Sequence, residues 1–306
     1  MTNAARAYSR AVWSGLSPTA QGVALAAGVA VMFACMDACA RAIGQRYDPL
    51  LGVWWRYASQ GLGVAIVFAP RLRTVVRTRR LGMQIFRSSL LFTATCLFFS
   101  GFALLPLATV TAIALLGPLL IVALAALLLG ERVGPWRWLG VAAGLCGALV
   151  IVRPWASDAG GSVFEWAALF PIGGAFAYAA FNIATRSLGR DEDVWTTFFY
   201  TAVVGAVGAS LFLPFVWETP RLVDLPLLLA VGGFGAIGQL ALIMALKRAP
   251  ASVVAPLHYT QLIWSAMLGW LLFAEIPGVW VWTGAALIVA AGLFVQWRER
   301  RAAARR

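Results

Sequence analysis

Asp37, Arg41 and Arg56 stand in stretches where nearly every neighbour is apolar. A charge held in hydrocarbon is costly, so each needs a partner or a task. Asp37 and Arg41 are four residues apart, which puts them on one face of a helix. Arg56 lies in the next apolar run. If the two runs form antiparallel helices, Asp37 and Arg56 each sit about six residues from the same end. At about 1.5 Å per residue that is roughly 9 Å deep. Two kinds of chemistry fit. The three charges can form an ion cluster that pins two helices together. Alternatively they can bind a charged solute, its amine on Asp37 and its carboxylate on Arg56, or Asp37 can carry a proton.

A second polar set falls later. His258 is the only histidine, and Tyr259 and Gln261 follow it closely. Gln239 is expected at a similar depth in the preceding helix. His titrates near neutral pH, so His258 can sense protons; a hydrogen-bonded structural histidine fits equally. Asn182 is a further candidate for the solute path, while Arg186 is expected to snorkel to the interface. Trp54, Trp55 and Tyr57 either stack on a solute or anchor their helix.

The elements that position these residues follow from composition. Of 306 residues, 61% are hydrophobic and 12% charged. A soluble domain carries about a quarter charged residues, so lipid must be the solvent for much of this surface. The 14 Trp suit a membrane–water interface. A spanning helix needs about 20 mostly apolar residues. The expected spans lie near 21–43, 50–69, 84–104, 109–129, 138–152, 165–185, 194–213, 226–246, 252–273 and 279–296. The fold class is an all-α polytopic membrane protein of ten transmembrane helices.

The net charge of +12 points to basic cytoplasmic loops, not to nucleic acid. With the N-terminus inside, 19 of the 24 Lys and Arg fall on the cytoplasmic side, Arg87 among them. Both termini are therefore expected in the cytoplasm of a cell with an inner membrane. Residues 1–20 form a cytoplasmic tail and 298–306 a basic one. Cys35, Cys39, Cys96 and Cys146 lie in apolar runs and read as small buried residues. No metal site or cofactor is expected, and no H-E-x-x-H, P-loop or Ser/His/Asp set suggests an enzyme. The expected partners are a small-molecule solute and the bilayer; the pattern assigns no oligomeric state.

The chain repeats itself. Pro106, Val110, Leu124, Leu127 and Leu128 recur 144 residues on as Pro250, Val254, Leu268, Leu271 and Leu272. Glu131, Gly134, Trp136, Trp138 and Gly140 recur as Glu275, Gly278, Trp280, Trp282 and Gly284. With one residue's shift, Asp37 and Arg41 fall on Asn182 and Arg186. Two halves follow, 21–153 and 165–297, each of five helices. An odd count inverts the second half, a recurring plan of secondary transporters.

The repeated pieces L-L-L-G-E-R-V-G-P-W-R-W-L-G at 127–140 and L-L-F-A-E-I-P-G-V-W-V-W-T-G at 271–284 resemble the drug/metabolite transporter superfamily, EamA-type. The resemblance implies ten helices around a central cavity and alternating access for a small metabolite. It implies a structural role for Glu131 and Glu275, each capping the next helix. Ala274 departs from it, since Gly often precedes that Glu. Amino acids or other zwitterions are the first reading of the cargo, cofactors or adenosyl compounds the second; a non-transporting scaffold is the competing class. Pro118 and Pro256 are expected to break helices at the cavity, and Gly232, Gly233 and Gly235 to let helices pack closely.

Overall fold

The computed structural model describes residues 16–68, 76–129, 134–153, 161–188, 192–249 and 251–303. Among them are twelve α-helices and one 3-10 turn, Leu222–Asp224. The first half holds α1 (Pro18–Gly44), α2 (Pro49–Phe68), α3 (Leu81–Leu104), α4 (Leu107–Ala114), α5 (Gly117–Leu129) and α6 (Pro135–Val152). The second holds α7 (Gly161–Leu188), α8 (Val194–Val216), α9 (Leu225–Arg248), α10 (Ala251–His258), α11 (Gln261–Phe273) and α12 (Val279–Ala303). Proline or a capping side chain starts several of them. Ser17 Oγ accepts from Ala20 N at 3.2 Å ahead of Pro18, and Pro135 opens α6, where a missing N–H is harmless.

Eight segments are long and apolar enough to cross a membrane: α1, α3, α4 with α5, α6, α7, α8, α9 and α12. Two of the ten expected spans do not reach that measure. One is α2, which carries the buried Arg56 and Gln60. The other is α10 with α11, two short helices of 8 and 13 residues parted at Tyr259 and Thr260. Large apolar side chains face outward on the helices, among them Trp166, Leu211 and Ile66, as a lipid-solvated surface requires.

The helix boundaries carry the repeat. The starts of α9, α10, α11 and α12 each fall 144 residues after those of α3, α4, α5 and α6. The break at Leu115–Leu116 is matched by the break at Tyr259–Thr260. Pro118 follows the first break, and its missing N–H and ring explain why the helix cannot run through. Its mate is Leu262, and in the second half the proline is Pro256, inside α10. There the backbone tightens to Tyr259 N→Pro256 O at 3.2 Å and Thr260 N→Leu257 O at 3.1 Å. Both halves thus part the helix at the same place with prolines at different places.

Helices of one half pack on helices of the other, and the glycines are where they meet. On α1 and α9 the neighbours are Gly22 with Ala249, Phe33 with Gly238, and Met36 with Gly235. On α3 and α7 they are Phe98 with Gly174 and Gly101 with Pro171. On α6 and α12 Gly140 meets Val295, and Gly147 meets Gly284 backbone to backbone. In each pair low numbers meet high numbers, so the helices are antiparallel. Of the glycines expected to pack, Gly232 and Gly235 do so against Ser59, Met36 and Arg56, while Gly233 has nothing within 4 Å. A side chain at Gly232 would meet the Arg56 carbonyl at 2.8 Å. Gly232→Leu is therefore expected to lose at least ~1–3 kcal/mol by overpacking, read as a lower melting temperature in detergent, whereas Gly233→Leu is expected to leave it unchanged.

Ala274 ends α11 at φ 54, in the left-handed region. An L side chain there costs about 1–2 kcal/mol that glycine avoids. The mate of Ala274 is Gly130. Ala274→Gly is expected to raise the melting temperature, gaining about 0.5–1 kcal/mol after glycine's greater chain entropy is subtracted.

Candidate functional site

Asp37 lies in α1 and is 5% exposed. Its Oδ2 accepts from Gln261 Nε2 at 2.8 Å. Gln261 is the first residue of α11, directly after the helix break. A helix start is electropositive and favours a carboxylate nearby. The bond crosses from one half to the other at the interruption.

Arg56 is 6% exposed. Its Nη1 donates to Thr95 Oγ1 of α3 at 3.0 Å, and its Nε lies 3.4 Å from Met36 Sδ, beside Asp37 in the chain. The guanidinium stands 4.7 Å from the Tyr57 ring centroid, and Tyr57 Oη and Thr95 Oγ1 are 2.9 Å apart. Asp37 and Arg56 interact electrostatically but form no salt bridge within 4.0 Å. The expected pair is therefore an open one. Thr95, Met36 and the ring of Tyr57 hold the cation, and Gln261 holds the anion. Spacing in sequence places both charges at one depth but says nothing of these neutral partners.

Arg41 does not join Asp37, although the two share a helix. Its Nε donates to Glu275 Oε1 at 3.0 Å, and its Nη1 donates to the carbonyls of Phe102 and Ala103 at 2.8 and 2.9 Å. The carbonyls at the end of α3 have no helical partners, and the guanidinium fork meets them. Glu275 in turn does not cap α12. Its Oε2 accepts from Leu107 N at 2.9 Å, the start of α4. Arg41 and Glu275 together clamp the turn between α3 and α4. Glu131 lies outside the described residues.

Other candidates separate from Asp37. Asn182 Nδ2 donates to the Tyr178 carbonyl of its own helix at 2.8 Å. Arg186 is exposed at the end of α7, as a snorkelling cation requires. Tyr259 turns away, into the core with Ala285, Ile288 and Ala291, and its hydroxyl abuts Gly292. The break at 259 places its ring towards α12, and its buried hydroxyl has no hydrogen-bonding partner among the described residues. His258 is half-buried, edge-on to Phe33 with ring centroids 6.1 Å apart, and hydrogen-bonds to no described residue. Gln239 is half-buried one residue from Gly238, which touches Phe33. Among the described residues no cluster of His, Cys, Asp and Glu could hold a metal ion.

Arg87, counted by its place in the chain with the inner loop charges, is 2% exposed. It packs between α3, α7 and α8. Its position three residues inside the expected third span was the signal.

The interrupted helices, the buried unlike charges and the doubled boundaries describe a membrane carrier. The EamA-like transporter family model matches residues 20–153 and again residues 165–297. The chain belongs to this family. It is a multi-pass membrane protein of the drug/metabolite transporter kind, and not an enzyme.

Among its relatives is a riboflavin transporter of Rhizobium johnstonii, 34% identical over 66% of each chain. A riboflavin transporter of Vibrio cholerae is 30% identical over 77% of this chain and 80% of its own. An S-adenosylmethionine uptake transporter of Rickettsia bellii is 29% identical over 75% and 77%. The Rhizobium match spans just under two thirds of that relative's length. A solved crystal structure shares the fold, with a TM-score of 0.61 at 24% identity over 91% of this chain and 98% of its own. The EamA repeat seen in the matched residues is also the repeat of the helix boundaries.

Proposed function

We propose that the protein is an uptake carrier for a cofactor-sized heteroaromatic compound, riboflavin or an adenosyl sulfonium such as S-adenosylmethionine. The names of the relatives favour this cargo over a plain amino acid. The observation that carries the reading is Asp37. A carboxylate 5% exposed, with an amide as its hydrogen-bonding partner and no cation in salt-bridge reach among the described residues, is costly unless a ligand completes it. A sulfonium or ammonium group supplies a cation there. A flavin ring supplies an N–H donor.

The carrier has ten spans in two inverted halves, with α2 and the broken α10–α11 completing the set. The antiparallel pairing of α1 with α9, α3 with α7 and α6 with α12 supports the inversion. Both termini face the cytoplasm of a bacterial inner membrane. Two interfacial cation–π pairs support the ends of the bundle: Arg298 over Trp136 at 4.6 Å and Arg153 over Trp280 at 4.8 Å.

The mechanism is alternating access. The Asp37–Gln261 bond ties α1 to α11 across the two halves. A solute donor arriving at Asp37 competes with the Gln261 amide for Oδ2. Loading then loosens the tie between halves, which couples occupancy to rearrangement. Arg56 takes the electronegative end of the solute.

The test is uptake of labelled riboflavin and of labelled S-adenosylmethionine into proteoliposomes holding the purified protein, against empty liposomes. Saturable uptake of either supports the proposal. Uptake of neither, by protein shown to be folded and inserted, rejects this cargo class.

A further inference from the structure

Arg87 lies six residues from the start of α3. Its Nε donates to Thr185 Oγ1 of α7 at 2.9 Å. Its Nη1 donates to the Thr197 carbonyl and to Thr201 Oγ1 of α8, both at 3.2 Å, and to Gln84 Oε1 at 3.4 Å. The guanidinium stands 4.7 Å from the Phe181 ring centroid. Every one of these partners is neutral, and no carboxylate lies within 4.0 Å among the described residues. Glu192 is reached only through Gln84, whose Nε2 donates to its Oε2 at 3.4 Å. The Nη2 group makes no hydrogen bond to any described residue. Buried guanidinium carries five donors and calls for an anion.

The repeat carries no cation at the matching place in the second half. The position 144 residues on is Val231, fully buried in the matching helix α9. Thr95, which holds Arg56, is eight residues beyond Arg87 on α3, about 12 Å along the axis at about 1.5 Å per residue. Arg56 and Arg87 therefore set two buried cations, neither in a salt bridge among the described residues, at two depths beside α3. Tyr57 hydrogen-bonds to Thr95 and packs under Arg56, on the same side of the bundle.

We propose that Arg87, held by Thr185 and Thr201, is a second recognition site for the anionic group, carboxylate or phosphate, of a transported solute, which passes to it from Arg56. Thr185 and Thr201 fix the guanidinium plane through Nε and Nη1 and leave Nη2 for the anion, as a charge-assisted hydrogen bond and not as a bidentate fork. The inference rests on the carrier reading, but not on which cargo is carried. It adds a requirement to it: a solute with an anionic group uses both arginines, and neutral riboflavin uses neither as an ion pair.

The probe is a bare anion. Thermal unfolding of the purified full chain in detergent is followed with inorganic phosphate or acetate at constant ionic strength, with chloride as the reference. The wild type is expected to melt higher with phosphate or acetate than with chloride. Arg87→Gln is expected to lose at least half of that shift, and Arg56→Gln together with Arg87→Gln all of it. An unshifted wild type overturns the proposal, as does an Arg87→Gln protein whose shift equals the wild type's. If Arg87→Gln does not fold, Arg87→Lys replaces it: the three donors of one ammonium cannot meet Thr185, Thr197 and Thr201 and also reach the anion as Nη2 does, so a shift at least halved supports the site and an equal shift overturns it. Failed uptake of riboflavin and S-adenosylmethionine alongside a positive anion shift replaces the cargo and leaves the site standing.

Discussion

Asp37→Asn is expected to lower kcat/KM for S-adenosylmethionine by about 10- to 150-fold, and for riboflavin by only about 2- to 12-fold. A hydrogen bond to a charged group contributes about 1.5–3 kcal/mol and a neutral one about 0.5–1.5 kcal/mol, and each 1.36 kcal/mol is a factor of ten. The sulfonium and ammonium of the first cargo lose a carboxylate; the neutral flavin loses one acceptor of two comparable kinds. The variant keeps the size of the side chain and its bond partner, since the Asn carbonyl can still accept from Gln261 Nε2, 2.8 Å from Asp37 in the wild type. Initial rates in proteoliposomes at equal reconstituted protein measure both numbers. Equal, small losses for the two cargoes, together with a lower melting temperature, would make Asp37 a helix tie and remove it from the solute path. Gln261→Leu separates the two roles from the other side. It leaves the carboxylate in place without its competing donor, so solute binding is expected to tighten while the coupling between halves weakens, seen as a lower kcat with a lower KM.

The outline of this fold was legible because lipid imposes long apolar runs and the repeat doubles the signal. The run at 21–43 became α1, Pro18–Gly44, and the run at 165–185 became α7, Gly161–Leu188. The E-x-x-G-x-W-x-W-x-G frame fixed an offset of 144 that the helix starts then follow. The breaks in α4–α5 and α10–α11 were only half legible. Pro118 and Pro256 marked them in turn, but their location belongs to the repeat position and not to either proline. The charges were legible as residues and not as pairs. Arg41 is four residues from Asp37, yet its long stem carries the guanidinium to the carbonyls ending α3 and to Glu275, 234 residues away. Glu275 was read as a cap for the helix that follows it, and instead serves α4 of the other half. Contacts of this range depend on how the halves pack, and a periodicity within one helix holds no information about that. Thr95 and Met36, which hold Arg56, carry no charge and so left no mark in an apolar run.

The contact across the halves with the most at stake for stability is the one between Arg41 and Glu275, whose side chains are 12% and 17% exposed. Glu275→Gln is expected to cost about 3–5 kcal/mol, the range for removing one partner of a buried ion pair and leaving the other uncompensated. The loss is compounded at the α3–α4 turn. Glu275 Oε2 is the acceptor for Leu107 N, at the start of a helix whose first N–H groups have no internal partner. The glutamine oxygen can keep one of the two contacts, to Leu107 N or to Arg41, but presents an amide donor to the other. Arg41→Met is expected to cost less than Glu275→Gln, because it leaves a carboxylate that still bonds Leu107 N and is partly open to water. The double variant Arg41→Met with Glu275→Met is expected to recover part of the loss, since no charge is then stranded. Unfolding of the wild type, Arg41→Met, Glu275→Met and the double variant in detergent, read as a double-mutant cycle, measures the coupling. A coupling near zero would place the pair among ordinary surface bridges, worth at most about 1 kcal/mol, and the clamp on the α3–α4 turn would then rest on separate contacts, the two carbonyl bonds of Arg41 and the bond of Glu275 to Leu107 N.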